Sequence, residues 1–339
     1  MSSKVLRSGL LCCVIVMLSL WLAACGQQPA QSGSAKDAPA QSQSSAPNSA
    51  GGTGNAAVVE EKRTVKDAMG EQSIPARPKR IVVLNTGALE TLLSLGVKPI
   101  GAPYSIPESK AFFKHLAAQT AGIENVGTVD QPNLETIAKL APDLIIAQKE
   151  DNEAVYDSLK RIAPVYMYSA APQEWKKAFA AHAEAVNRSE DAKKIMQAYD
   201  SKVTAFKTAM GKRLTEMTVT LIRPRADHVR IQLPGSFSGA VVQEAGLLRP
   251  GKHQTSLEHN ISVKEEQIGS MDADVILSFG REHEAEFFKE KIVKNPLWAT
   301  LKAVQKNAVH YMDWEIWLSG QGIQSANIIL DDLNRIFVK

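Results

Sequence analysis

Between Leu221 and Arg230 the chain reads LIRPRADHVR, which places three arginines within eight residues. Arg223 and Arg225 fall at or just past the end of one β-branched run, and Arg230 lies in the run that returns, so pairing of the two runs would bring guanidiniums together. A guanidinium is a planar, permanently charged fork of donors, suited to carboxylate, carbonyl and other anionic oxygens. At least one of the three is read as touching ligand; the alternative is that Asp227 neutralises one of them and the rest are solvated. Two tryptophans, Trp314 and Trp317, follow a run ending at Tyr311-Met312 and offer either flat apolar walls for a ligand or packing for a core. Phe237, Tyr104 and Arg281 are further candidates by loop position. All of this is chemistry of recognition.

Patterns for catalysis are missing. The chain has no Gly-x-Ser-x-Gly elbow and no P-loop, and Ser236-Phe-Ser-Gly239 lacks the leading glycine of an elbow. Gly320-Gln-Gly322 belongs to no complete dinucleotide motif, and is read as a place for close helix packing. His283-Glu284 lacks the second histidine of a zinc protease, and the 7 histidines show no paired metal spacing. No enzyme, no cofactor and no protein-held metal is expected.

Runs of two kinds position these residues. Candidate strands lie at 80–84, 99–102, 143–147, 164–168, 218–222, 229–233, 274–279 and 308–311. Candidate helices lie at 87–96, 134–140, 152–162, 172–186, 239–245, 263–270, 284–293 and 321–337. Such alternation predicts mostly parallel sheets covered by helices, with ligands beyond the carboxyl ends of the strands. The loops to watch are therefore Asn85-Thr86, Pro103-Tyr104, Gly127 to Asn133 and Gln148 to Asp151. Between the two alternating segments stands SEDAKKIMQAYDSKVTAFKTAM, Ser189 to Met210, with Ser189 as N-cap, acids in its first turn and one apolar stripe at helical spacing. At 1.5 Å per residue it would span roughly 33 Å, a strut between two α/β lobes. Residues 137–146, IAKLAPDLII, echo 268–277, IGSMDADVIL, and so suggest lobes of similar design.

The first residues have the layout of an export signal: Lys4 and Arg7, an apolar run from Leu10 to Leu22, then Ala23-Ala24-Cys25. Leu22-Ala-Ala-Cys25 resembles the lipobox of bacterial lipoproteins, in which the cysteine is lipidated. The only other cysteines are Cys12 and Cys13, so the exported body has no thiol for a disulfide. Gly26 to Glu60 is rich in Gln, Ser, Ala and Gly and reads as a flexible tether. The domain expectation is therefore a leader at 1–25, a linker at 26–62, one lobe at 63–188, the strut at 189–211 and a second lobe at 212–339. With 44% hydrophobic residues over 339 positions there is material for two cores. A net charge of +3, part of it in the leader, gives no support to nucleic-acid binding.

Several stretches in order resemble the iron–siderophore substrate-binding lipoproteins of bacterial ABC importers, whose fold the vitamin B12-binding protein shares: Pro78 to Leu84, Ala88 to Pro99, Pro132 to Ile146, Arg223 to Arg230 with Ser236 to Gly239, and Trp317 to Asp332. The resemblance implies two lobes on a rigid helix, a ligand cleft between them, modest closure, and delivery to a membrane permease. By local match, Glu90 and Glu244 would be the acids that dock onto permease arginines. Of the tryptophans, Trp317 matches the family's recurrent cleft aromatic better than Trp314. The expected cargo is a ferric siderophore, hydroxamate or citrate-containing, with the iron held by the siderophore. The expected protein is a monomer, anchored through lipidated Cys25 on the outer face of the cell membrane. A haem- or corrinoid-binding lipoprotein of the same fold, or an exported hydrolase of siderophore esters, are the alternatives.

Overall fold

A computed structural model describes residues 61–338, so the leader, Cys25 and most of the linker lie outside the described residues. The body opens with a hairpin that the sequence reading did not foresee, β1 (Lys62–Asp67) and β2 (Gly70–Pro75), paired antiparallel. It is tied to the first lobe by Asp67, whose Oδ2 accepts from the Met167 N–H at 2.8 Å.

In that lobe, β3 (Ile81–Val83), α1 (Thr86–Ser94), β4 (Gly101–Ala102), β5 (Glu124–Asn125), α2 (Leu134–Lys139), β6 (Leu144–Gln148), α3 (Tyr156–Lys160), β7 (Val165–Tyr168) and α4 (Trp175–Ala185) follow in turn. The sheet order is β5-β4-β3-β6-β7, every pair parallel. Strands β3, β4, β6 and β7 are short and mostly buried, as expected of a sheet covered on both faces, and only the edge strand β5 is not.

Helix α5 (Ser189–Met210) has the bounds expected of it, with Glu190 and Asp191 in its first turn. Its cap differs from expectation. Arg188 holds the N-cap position, no side chain caps the helix, and Ser189 is already helical. Ala192, Tyr199, Val203, Phe206 and Met210 of the apolar stripe are buried, while Ile195 and Met196 pack at the margin of the core.

The second lobe holds β8 (Val219–Pro224), β9 (Val229–Gln232), α6 (Phe237–Glu244), β10 (Asn260–Val263), β11 (Val275–Ser278), β12 (Val309–Tyr311), α7 (Trp314–Trp317) and α8 (Ile323–Phe337). Its order is β10-β9-β8-β11-β12, with β8, β11 and β12 parallel but β9 and β10 antiparallel. Residues expected as one helix at 263–270 divide between the end of β10 and a 3₁₀ segment, Glu265–Met271. The expected helix at 284–293 ends in a π-helical stretch, Phe288–Val293. The echo in the sequence has a counterpart in space. Strand β6 lies between β3 and β7, and β11 lies between β8 and β12.

Two α/β lobes joined by a long helix are thus present, but α5 does not join them alone. Each sheet keeps a private apolar layer on one face, Val82, Ile145 and Met167 in the first and Ile222, Ile231 and Ile276 in the second. The opposite faces share one continuous cluster that runs through α1, α4, α5, α6 and α8. Helix α8 packs on α1 of the first lobe as well as on α5 and α6.

Candidate functional site

The carboxyl ends of β3, β6 and β7 form one wall of a cleft. Asn85, just past β3, caps α1 by accepting the Gly87 N–H at 2.7 Å, and its amide donates to Gln148 Oε1 at the end of β6 at 3.0 Å. Tyr168, at the end of β7, donates its hydroxyl to the same Gln148 oxygen at 3.0 Å. These residues line a cavity of about 720 Å³ together with Thr86, Val129, Glu150, Asp151 and, from the second lobe, Gln321. Three of the four loops singled out from the sequence contribute to it.

The arginine cluster of the second lobe is built on the β8–β9 hairpin, and none of its three arginines lines that cavity. The Arg225 N–H donates to the His228 carbonyl at 2.8 Å and closes the turn. Register then sets Arg223 opposite Arg230. Because strand side chains alternate, Val229 and Ile231 enter the lobe's private core while Arg230 and Gln232 take the other face. Like charges directly opposite on a sheet repel. What offsets this is Glu284, in the turn after β11, whose Oε1 accepts from Arg223 Nη2 at 3.0 Å and from Arg225 Nη1 at 2.6 Å. Burial, then the neighbouring Arg225 and Arg230, lower the Arg223 pKa against the raising effect of Glu284. His259 is likewise held below its ordinary value, first by burial and then by Arg230 and Arg223. The cluster is therefore a patch of surplus positive charge about one buried carboxylate. The neutralising acid is Glu284 and not Asp227, which instead accepts from His228 Nδ1 at 2.6 Å.

The remaining candidates separate. Trp314 is half-buried on the wall of a second cavity of about 620 Å³, where the Arg281 guanidinium lies 4.8 Å from its ring centroid. Arg281 reaches across to the other lobe, donating to Glu108 at 2.7 Å, and the Lys114 N–H crosses in the opposite sense to Glu315 at 2.8 Å. Trp317, expected as the better cleft aromatic, is only 1% exposed, stacks near Phe279 and donates its indole N–H to Asp332 at 2.9 Å. It packs the core. Phe237 is buried at the junction of the lobes with its ring 6.0 Å from that of Trp175, and both Phe237 and Trp317 border a pocket of only about 50 Å³. Tyr104 packs edge-on against Phe112 and lines none of these cavities.

Glu90 overturns an expectation outright. It has 0% exposure, so it presents nothing to a permease. Its carboxylate accepts from the Ser325 N–H at 2.9 Å and the Ser325 hydroxyl at 2.8 Å, in the first turn of α8. Gly322 lets that approach happen, since a Cβ there would stand 2.6 Å from the Glu90 Cβ. Burial raises the Glu90 pKa to about 7. Glu244 is partly exposed but engaged, with Tyr199 donating to it at 2.9 Å and Lys176 lying 3.4 Å away.

Sequence reasoning missed Glu284, which lies about 60 positions from its arginines, and the hydrogen bond of Tyr168 to Gln148. Among the described residues no group of three or more His, Cys, Asp or Glu is arranged to hold a metal ion.

A profile of the periplasmic binding proteins matches residues 81–315. The chain belongs to this family. Among curated periplasmic binding proteins, a probable siderophore-binding lipoprotein of Bacillus subtilis, YfiY, is 36% identical over 87% of this chain and 94% of its own length. The achromobactin-binding periplasmic protein of Dickeya dadantii is 31% identical over 76% of this chain and 86% of its own. Among solved structures, SirA of Staphylococcus aureus complexed with staphyloferrin B superposes with a TM-score of 0.72 at 31% identity, covering 80% of this chain and 97% of that one.

Proposed function

We propose that this periplasmic binding protein captures a ferric siderophore between its lobes and hands it to the permease of an ABC importer. The observation that carries this reading is the cluster of Arg223, Arg225 and Arg230 on the β8–β9 hairpin, of which the first two share Glu284. It suits an anionic, oxygen-rich chelate that brings its own ligands for iron. A citrate-containing or hydroxamate chelate fits best, because such chelates expose carboxylate or carbonyl oxygens to bidentate donors. The relatives named above for siderophores support the same class of cargo. Lipidation of Cys25 would keep the receptor on the outer face of the membrane within reach of its permease. The family is one of substrate-binding proteins, and the cleft is read as a site of capture and not of turnover.

The test is quenching of tryptophan fluorescence by a panel of ferric citrate-type, hydroxamate and catecholate siderophores, haem and cobalamin. Saturable quenching by a ferric siderophore is expected. Tight binding of haem or cobalamin alone would move the protein to the alternative cargo. For the anchor, Cys25→Ala should shift the protein from the membrane to the soluble fraction, and an unchanged partition would reject lipidation at this residue.

A further inference from the structure

The first lobe's side of the 720 Å³ cavity differs in chemistry from the second lobe's arginine cluster. Glu150, Asp151 and Glu174 line the 720 Å³ cavity, and no lysine or arginine does. Glu174 is already engaged, accepting from the Ala171 N–H at 2.9 Å and from Lys177 at 3.5 Å. Glu150 accepts from the Ser169 hydroxyl. Asp151 has no hydrogen-bond or ion-pair partner among the described residues, and burial, then Glu150 and Asp130, raise its pKa.

A second observation points the same way. His182 is fully buried on this wall, and burial lowers its pKa to about 3, so it is neutral. Thr91 donates its hydroxyl to the Gly87 carbonyl at 2.8 Å and must therefore accept from His182 Nδ1–H at 3.1 Å. That fixes the tautomer and leaves Nε2 as a bare acceptor, and it has no partner. A buried polar atom left unpaired is costly, and such atoms in native proteins call for an explanation. The Gln148 amide gives one of its two hydrogens to the Ala170 carbonyl at 3.1 Å, and the Trp175 indole N–H is a buried donor on the wall with no partner. The wall is thus rich in acceptors and negative charge. Through Pro172 and Gln321 it adjoins the small pocket that His259 borders on the arginine side.

We propose that this wall receives a protonated amine of the cargo, so that the protein selects ferric chelates with an anionic metal-binding end and a free ammonium arm. An ammonium carries three donors and no acceptor, the complement of this surface. The inference rests on the siderophore reading above and refines it.

The test compares two synthetic probes, the ferric complex of citric acid mono(2-aminoethyl)amide and that of its N-acetylated form, titrated into wild type and into a Glu150→Gln/Asp151→Asn double variant. Both side chains are exposed, so the variant should fold. Wild type should bind the amine-bearing chelate about tenfold more tightly, as expected for a charge-assisted hydrogen bond. The double variant should lose that preference and bind the two chelates alike. Equal binding of the two probes by wild type, or full preference in the double variant, would overturn this inference alone. Binding of neither probe would overturn it together with the citrate-type reading beneath it.

Discussion

The two lobes repeat one sheet order and diverge in the direction of one strand, β4 in the first and β9 in the second. After β3 the chain crosses over through α1 to β4, and the neighbouring pair is parallel. After β8 it turns back at once into β9, and the pair is antiparallel. A crossover puts a helix N-terminus and its cap, Asn85, at the strand end. A hairpin puts two strands' worth of side chains there, which is how Arg223, Arg225 and Arg230 come to stand together. The same sheet order therefore yields a neutral-to-acidic wall in one lobe and a cationic wall in the other.

The comparison can be broken in several places. The largest effect should come from the two tryptophans. Trp317→Ala should cost about 3–5 kcal/mol of stability in denaturant unfolding, as for any large buried aromatic. Trp314→Ala should leave stability nearly unchanged and weaken ligand binding instead. If both behave alike, the assignment of one to the core and the other to the cleft fails. Next, Arg223→Ala with Arg225→Ala should weaken binding of a ferric citrate-type chelate by at least about 3 kcal/mol, taking the low end of roughly 1.5–3 for each of two charged hydrogen bonds lost. Calorimetric affinities equal to those of wild type would remove the cationic wall from the site.

A third prediction concerns the junction that belongs to both lobes. The folded-state pKa of Glu90, about 7, lies above the ordinary carboxylate value, so the folded state holds the proton more tightly than the unfolded one. Its contribution is fully present below about pH 4.5 and is lost as pH rises through 7, by up to about 3 kcal/mol. Unfolding free energies measured from pH 5 to 8 should fall more steeply for wild type than for Glu90→Gln. Parallel curves would show that Glu90 does not titrate in this range. The smallest effect is expected for Arg281→Ala, which removes a partly exposed ion pair to Glu108 and a contact with Trp314, and should cost under about 1 kcal/mol of stability. A larger loss would mean that this bridge carries much of the contact across the cleft.

Legibility in the sequence followed the range of the interactions. The bounds of α5 were readable because caps aside, a helix is decided by neighbours three and four apart. The β8–β9 cluster was readable because a hairpin is local. Hairpin β1–β2 was not, since KRTVKD and GEQSIP hold too few apolar residues to stand out from a linker. Glu90 misled for a different reason. It was assigned to the surface by local match to the family, although ALETLLSLG is apolar nearly all round, the mark of a buried helix. Trp317 was placed by resemblance, and the resemblance could not see Asp332 waiting for its indole. Glu284 could be paired with its arginines only after β8 and β11 were known to be neighbours.

The apolar layer common to both halves, through α1, α4, α5, α6 and α8, bears on how cargo is chosen. Large hydrophobic interfaces resist relative motion of the bodies they join. A receptor built this way meets its guest with the gap already near its working width, so little selectivity can come from how far it shuts. Discrimination must then reside in where fixed charges stand on the two banks, and exchanging a few of those side chains should retune the guest without rebuilding the frame.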